Sequence, residues 1–224
     1  MSRPRVGVVS PTEVAFPTVR TAFEELWPEA EPVCVLDQSL YADFINDDMT
    51  VPDVMPEECY ARIARLLRYS QNSGADAIIF CGSVFGRLVE AGRDGMDVPV
   101  LTSYEAMIEA AFGQGNRLGV LATTPGTIKC LSDDIFSYAA ANNLTYDLIS
   151  DVADGAFEIL LEGDRSAHDD LVVQSAQSLT DCDSLMLGQF SMGLVQRKIA
   201  QIEGRPIFTA PHTAVAKLKT VLGS

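Results

Sequence analysis

The chain has 224 residues, of which 47% are hydrophobic and 21% are charged, and its formal net charge is −15. A chain of this size can bury the core of one large domain or of two modest ones. The negative charge repels phosphate backbones and anionic lipids, so neither nucleic acid nor a membrane is an expected partner. No apolar run reaches the roughly 20 residues that cross a bilayer, and the N-terminus lacks a signal-peptide pattern. The sequence therefore predicts a cytoplasmic protein.

Short apolar runs alternate with longer amphipathic segments along the chain. The apolar runs predict eight strands, over residues 6–10, 33–37, 77–80, 98–101, 118–122, 146–150, 185–187 and 206–209. Between them, Pro56 begins a predicted helix that ends near Gly74. Ser103 and Ser166 are predicted to cap helices over residues 104–112 and 166–179. The alternation of strands and helices predicts an α/β fold with a largely parallel sheet.

One pattern occurs twice. Residues 76–83 (DAIIFCGS) parallel residues 183–190 (DSLMLGQF), since each is a buried strand that runs into a turn of small or polar residues. This repeat predicts two pseudo-symmetric, Rossmann-like halves with the site in the cleft between them. We assign residues 1–102 and 206–224 to an N-terminal subdomain and residues 103–205 to a C-terminal subdomain.

The first repeat ends in Cys81, Gly82 and Ser83, which together offer a thiol, an accessible backbone and a hydroxyl. Backbone N–H groups at such a turn bind anions, and a cysteine beside them can act as a base or a nucleophile. The alternative is that Cys81 is a small buried residue at a strand end, as free cysteines commonly are.

The second repeat ends in Gln189, Phe190 and Ser191. The amide of Gln189 donates and accepts hydrogen bonds but cannot abstract a proton. Ser191 and Phe190 are candidate substrate-binding residues, although Ser191 can equally well cap the next helix.

Two other strands run into turns rich in hydroxyl groups. The turn after residues 118–122 carries the three hydroxyls of Thr123, Thr124 and Thr127. Together with the start of the helix that follows, they form a favourable site for a carboxylate. The alternative is that Thr124 is an ordinary helix cap, with Pro125 in the first turn. Ser10 and Thr12 follow the first strand with similar chemistry and a less specific pattern.

The remaining metal-binding and nucleophilic residue types give weaker signals. The five cysteines form no CxxC pair, which indicates neither a disulfide framework nor a zinc site. His168 lies among aspartates on an expected solvated helix face. His212 lies at a strand-to-helix turn from which it can reach the cleft, so we include it among the candidate substrate-binding residues. No metal site is predicted.

Three segments resemble the aspartate/glutamate/hydantoin racemase superfamily, which also contains maleate isomerase and arylmalonate decarboxylase. They are CGS at residues 81–83, GVLATTPGT at residues 119–127, and LGQ at residues 187–189, which precedes Met192 and Gly193. The resemblance spans nearly the whole chain. It implies two α/β subdomains, a homodimer, and two cysteines that exchange a proton with a carbon acid without metal or cofactor.

The sequence departs from this pattern at both cysteine positions. Gln189 occupies the place of the second cysteine, six residues after Asp183. Six residues after Asp76 the chain has Gly82, so Cys81 comes one residue early, and such a shift turns a side chain to the opposite face of a strand. In this register, Gly82 and Ser83 resemble the carboxylate-binding Gly-Thr-Ser turn of the decarboxylase.

Our leading hypothesis from the sequence is a cofactor-independent, racemase-like isomerase of a small carboxylate or a hydantoin-like carbon acid. Cys81 would be its catalytic base. Gln189 is the second candidate catalytic residue because it occupies the place of the other cysteine, but the acid that returns the proton would have to be a water, His212 or another group. A decarboxylase or a hydrolase of the same fold is the alternative, since it needs only an anion-stabilising pocket and one proton donor. A non-catalytic carboxylate binder is the third possibility.

Overall fold

The computed structural model describes residues 3–46, 51–52, 54–201 and 204–223. All eight predicted strands are present, and their ends differ from the prediction by at most two residues. The strands are β1 (Arg5–Ser10), β2 (Glu31–Leu36), β3 (Ala77–Phe80), β4 (Val100–Leu101), β5 (Arg117–Ala122), β6 (Asp147–Val152), β7 (Ser184–Leu187) and β8 (Ile207–Thr209).

The strands form two separate four-stranded sheets with the same topology. The first sheet has the order β2-β1-β3-β4 and the second has the order β6-β5-β7-β8, and every paired strand is parallel to its neighbour. The central strands β1, β3, β5 and β7 are almost entirely buried, as expected of parallel sheets covered on both faces. The predicted α/β fold with two pseudo-symmetric halves is therefore confirmed.

Ten α-helices connect and cover the strands in the described part of the chain. They are α1 (Phe16–Leu26), α2 (Ser39–Phe44), α3 (Glu57–Asn72), α4 (Gly86–Gly92), α5 (Glu105–Phe112), α6 (Pro125–Asn142), α7 (Ala156–Leu161), α8 (Arg165–Ala176), α9 (Gln196–Ala200) and α10 (Ala210–Val221). Short 3-10 helices at Glu13–Ala15, Ser83–Phe85 and Phe190–Leu194 follow the ends of β1, β3 and β7. None of the described helices is long and apolar enough to cross a membrane.

Several helix ends follow from local sequence. Pro56 precedes α3, and Gly74 adopts the left-handed backbone, with φ of 87°, just beyond its end. Thr124 caps α6 by accepting a hydrogen bond from the Thr127 N–H, which was the alternative to its role in a carboxylate site. The prediction that Ser103 caps α5 was wrong, because its hydroxyl donates to the Phe80 carbonyl. The helix start is instead capped by a pair of bonds: the Thr102 N–H donates to the Glu105 carboxylate, and the Glu105 N–H donates to the Thr102 hydroxyl.

Helix α8 also begins earlier than predicted. Asp164, and not Ser166, is its cap, since its carboxylate accepts a hydrogen bond from the Ala167 N–H. The prediction that His168 lies on a solvated face was wrong. His168 is fully buried, with Val172 and Ala176 one and two turns further along the same face, and its ring nitrogen pairs with the Asp169 carboxylate.

Three apolar clusters fill the molecule. The largest one joins the two halves, because it contains Val8 and Ile79 from the first sheet and Val120 and Met186 from the second. It also includes residues of α1, α5 and α10. The other two clusters lie on the outer faces of the first and the second sheet. A shared core of this kind holds the ends of the strands of both halves close together.

The structure corrects the assignment of residues 206–224 to the first subdomain. Strand β8 pairs with β7 and therefore belongs to the second sheet. Helix α10, which follows β8, packs against α1 and α5, one helix from each predicted subdomain.

Candidate active site

The strand pairings give the correspondence between the halves residue by residue. Val6 pairs with Ala77 in the first half, as Leu118 pairs with Ser184 in the second. Asp76 and Asp183, which precede β3 and β7, accept hydrogen bonds from the N–H groups of Arg5 and Arg117. Counting on from these pairs, Gly82 corresponds to Gln189, and Cys81 corresponds to Gly188.

A cavity of about 280 Å³ lies between the turns that follow β1 and β3 in the first half and β7 in the second. It brings together five predicted site residues with polar side chains: Thr12, Cys81, Ser83, Gln189 and Ser191. The rest of its wall is mostly apolar and includes Pro11, Val14, Phe157, Leu161 and the predicted site residue Phe190. The mixture of an apolar wall and a few convergent polar groups is typical of small-molecule sites.

Gly82 leaves no room for a side chain. A Cβ atom at this position would lie 2.7 Å from Cε1 of Phe80 and 2.8 Å from Cδ2 of Phe85. Both aromatic rings are fully buried. A cysteine in place of Gly82, the residue that corresponds to Gln189, is therefore incompatible with this packing. The thiol that the first half contributes to the cavity wall is that of Cys81.

Cys81 borders the cavity but is only 3% exposed. Burial, with a smaller contribution from nearby Cys34, raises the pKa of the Cys81 thiol well above its usual value. The thiol is consequently protonated at neutral pH. Such a group can donate a proton, whereas a resting thiolate, which a base would require, is disfavoured.

The Gln189 side chain is held by the turn at residues 123–127, which we call the threonine loop. Its Oε1 atom accepts a hydrogen bond from the Thr123 N–H at 2.9 Å. Its Nε2 atom donates to Oγ1 of Thr123 at 2.8 Å and to Oγ1 of Thr127 at 3.3 Å. The predicted carboxylate site in this loop is thus occupied by an amide of the protein itself.

The first-half turn after β1 has different local chemistry. The Ser10 hydroxyl donates to the Thr12 carbonyl and accepts from the Thr12 N–H, which fixes the turn. Ser10 is fully buried and serves this backbone bond, whereas Thr12 borders the cavity. Pro11, which corresponds to Thr123, has no N–H to donate.

Two tyrosines that the sequence analysis missed complete the site. The Tyr104 hydroxyl donates to the Gly188 carbonyl at 2.8 Å, so it connects the start of α5 to the β7 turn. Tyr41 borders the cavity, and burial, followed by the effect of Cys130, raises its pKa to about 12. Neither tyrosine belongs to a motif, and only the fold brings them to the cleft.

His212 does not reach this cavity. Its ring is hydrogen-bonded to Oγ1 of Thr209 at 2.6 Å and to Glu25 at 3.3 Å. It borders a different cavity, beside Leu26 and Phe208. The prediction that it can reach the cleft fails because β8 is the outermost strand of its sheet and α10 turns toward α1.

A third cavity, of about 360 Å³, lies on the other side of Ser83, between α4 and α6. Asp134 borders it, and burial together with Glu90 raises the pKa of this carboxyl to about 7. Sequence analysis missed this residue, because an aspartate within a helix is usually solvated. Among the described residues, no group of three or more histidine, cysteine or acidic side chains is arranged to hold a metal ion.

Comparison with solved structures places this two-sheet architecture among racemases and a decarboxylase. Allantoin racemase from Klebsiella pneumoniae superposes with a TM-score of 0.72 at 15% identity, covering 98% of this chain and 89% of that chain. Glutamate racemase from Francisella tularensis subsp. tularensis SCHU S4, in complex with D-glutamate, gives 0.69 at 16% identity and covers 100% and 82%.

A mutant of arylmalonate decarboxylase that replaces a glycine with cysteine, in a sulfate-associated form, gives a TM-score of 0.63 at 17% identity and covers 99% and 94%. At these identities the likeness establishes the fold alone. No curated protein matches the sequence.

The fold and the cleft define the class of a two-half parallel α/β protein with a small-molecule cavity between its halves. The family model of the Asp/Glu/hydantoin racemases matches residues 7–218. The chain belongs to this family, which confirms the resemblance found in the sequence.

Proposed function

We propose that the protein is a cofactor-independent enzyme that acts on a small, substituted carboxylic acid, and that it is a lyase of the decarboxylase type. One observation carries this choice among the activities that the sequence left open. Of the two positions where the family has cysteines, one is Gly82, which has no room for a side chain, and the other is Gln189, which is bound to the threonine loop. A symmetric two-thiol racemase needs both.

The protonation state of Cys81 supports the same choice. A decarboxylase needs no base to begin, because the electron pair comes from the bond to the leaving carboxylate. It needs a proton donor afterwards, and a buried thiol with a raised pKa supplies one. Cys81 is also the cysteine that borders the cavity.

The reaction proceeds in two steps. The bond between the α-carbon and one carboxylate breaks, carbon dioxide leaves, and the electron pair remains on the α-carbon as an enediolate. The Sγ proton of Cys81 then moves to this carbon, and the resulting thiolate regains a proton from water. Apolar surroundings favour the first step because they disfavour the concentrated charge of the carboxylate, and Pro11, Val14 and Phe157 provide such a wall.

The retained carboxylate requires hydrogen-bond donors. Ser83, in the turn that resembles the decarboxylase motif, borders the cavity beside Cys81 and offers a hydroxyl. Thr12, on the neighbouring turn, offers another hydroxyl. Charge that develops on the enediolate oxygens is stabilised by such donors when the fold holds them in place.

The test is turnover of aryl- and alkyl-substituted malonates in heavy water, followed by NMR. A lyase is expected to release carbon dioxide and to give a product with one deuterium at the α-carbon in a single configuration, because one face receives the proton. Cys81→Ala is expected to abolish turnover. Cys59→Ala, which removes a buried thiol from the outer core of the first half, is the matched control and is expected to retain it.

The same experiment examines the isomerase hypothesis, which the family membership favours. The panel therefore includes enantiopure amino acids and hydantoins. Exchange of their α-hydrogen for deuterium with loss of optical purity, without release of carbon dioxide from any malonate, would refute the lyase assignment. Retained malonate turnover in Cys81→Ala would refute the role of this thiol.

A further inference from the structure

The Gln189 side chain places an amide where a bound carboxylate would be. A carboxylate in the threonine loop would accept from the Thr123 N–H and from hydroxyl groups nearby. Gln189 occupies the same atoms: its Oε1 accepts from the Thr123 N–H at 2.9 Å, and its Nε2 donates to the hydroxyl oxygens of Thr123 and Thr127. The glutamine is only 8% exposed, so water does not compete strongly for these bonds.

Further hydrogen bonds join the threonines of the loop to one another. The Thr124 hydroxyl donates to Oγ1 of Thr127, and the Thr127 N–H donates back to the Thr124 hydroxyl. The Thr123 N–H and the hydroxyl oxygens of Thr123, Thr124 and Thr127 are therefore engaged within the protein. A second anionic group of a substrate would have to displace Gln189 in order to bind there.

We propose that Gln189 is a specificity-determining residue, an internal ligand that closes the threonine loop and restricts the cavity to ligands with one hydrogen-bonded carboxylate. The first half, where Gly82 contributes no side chain and Thr12 and Ser83 border the cavity, then holds that carboxylate. The inference rests on the proposed function only in assigning carboxylates to this cavity. It concerns binding, so its test needs no turnover.

The first experiment compares two four-carbon probes, butyrate and succinate, by isothermal titration calorimetry. They have the same chain length and differ in the second carboxylate. The wild-type protein is expected to bind butyrate at least as well as succinate. In Gln189→Ala, which opens the loop, the affinity for succinate is expected to rise at least about 10-fold, while that for butyrate changes less than about 3-fold.

Gln189→Glu is the matched control for this experiment. Its carboxylate is nearly isosteric with the amide, and it can accept from the Thr123 N–H and from hydroxyls that rotate to donate. The loop stays filled, so succinate should bind no better than it binds to the wild type. Gln189→Ser is a second opening variant that retains some polarity. It is used if Gln189→Ala does not fold.

The second experiment measures thermal unfolding in sodium acetate and in sodium chloride of equal concentration. Acetate can fill the opened loop, so saturating acetate should raise Tm of Gln189→Ala by at least about 3 °C relative to chloride. The wild type and Gln189→Glu can bind acetate only at the first-half site, so acetate should raise their Tm by less than it raises that of Gln189→Ala. Equal Tm changes of all three proteins in acetate would overturn the proposal, and so would an unchanged succinate affinity in both Gln189→Ala and Gln189→Ser. Neither result bears on the lyase assignment, which the malonate assay tests separately.

Discussion

The two halves of this protein share one topology and differ most where the family would place its two thiols. In the first half, Gly82 faces Pro11, so the position has neither a side chain nor a backbone donor opposite it. In the second half, Gln189 faces Thr123, and the two are joined by two hydrogen bonds. The first half therefore leaves its side of the cavity without a side chain at this position, whereas the second half fills the corresponding position with the hydrogen-bonded Gln189.

This difference explains why a symmetric reaction does not fit the site. Two matched acid–base groups on opposite sides of a carbon need two matched halves. Here a buried thiol stands on one side and an amide, which does not titrate, on the other. Such an arrangement suits a reaction that delivers one proton to one face.

The largest expected effect comes from giving the first half a side chain. Gly82→Ala places a methyl group against Phe80 and Phe85, at less than 3 Å from each ring. We expect the free energy of unfolding, measured by urea denaturation, to fall by about 2–3 kcal/mol. Gly82→Cys, which would introduce the family's first thiol, carries the same clash and should be at least as unstable.

Gly204→Ala is the control, since no atom of the described residues lies within 4 Å of the position that its Cβ would occupy. Its unfolding free energy should change by less than about 0.5 kcal/mol. An unchanged free energy of unfolding in Gly82→Ala would mean that the first half, like the second, can hold a side chain at this position, which would contradict the prediction.

A second difference lies further along the helices that follow β1 and β5. Asp134 comes twelve residues after the end of β5, and the same count from the end of β1 reaches the fully buried Ala22. Burial and the Glu90 carboxylate raise the pKa of Asp134 to about 7. The second half therefore carries a titrating carboxyl where the first half has a methyl group.

The raised pKa has a definite consequence for stability. The unfolded chain loses the Asp134 proton near pH 4 and the folded chain near pH 7, so between these values unfolding releases a proton and becomes easier as pH rises. Relative to Asp134→Asn, the free energy of unfolding of the wild type should fall by on the order of 2 kcal/mol from pH 4 to pH 8. This is less than the full pKa difference would give, because Asp134 is partly exposed to solvent. Urea denaturation across this range measures it, and Asp181→Asn, at an exposed ion pair with Arg117, should behave like the wild type. Parallel pH profiles for wild type and Asp134→Asn would contradict the assignment.

The sequence predicted the fold well because its signals are local. Each buried strand is a short apolar run, and Thr124 with Pro125 marks a helix start that the structure confirms. The register of the repeat was equally readable, since counting from Asp76 and Asp183 identifies Gly82 and Gln189 as partners. These features depend on neighbouring residues, which a sequence displays directly.

The site was less predictable because its contacts are distant in sequence. Gln189 bonds to Thr123, 66 residues away, and Tyr104 bonds to the Gly188 carbonyl, 84 residues away. His168 was misplaced because its aspartate neighbours indicated a solvated face, although it lies four residues before Val172, on the face that the apolar residues of α8 bury. His212 was misplaced because the position of β8 in the second sheet is a property of the whole fold.

The smallest expected effect concerns the two threonines that begin the turns after β1 and β5. Thr124 caps the 18-residue helix α6, whereas Thr12 accepts from the Val14 N–H at the start of a three-residue 3-10 helix. Thr124→Ala should lower the free energy of unfolding by about 1 kcal/mol, since a long helix loses its cap. Thr12→Ala should cost about half as much or less, because Ser10 still fixes that turn through the Thr12 backbone. Thr→Ser at either position keeps the oxygen and should restore most of the loss. Equal losses from the two alanine variants would mean that the turns are energetically equivalent, and that the asymmetry of the halves is confined to Gly82 and Gln189.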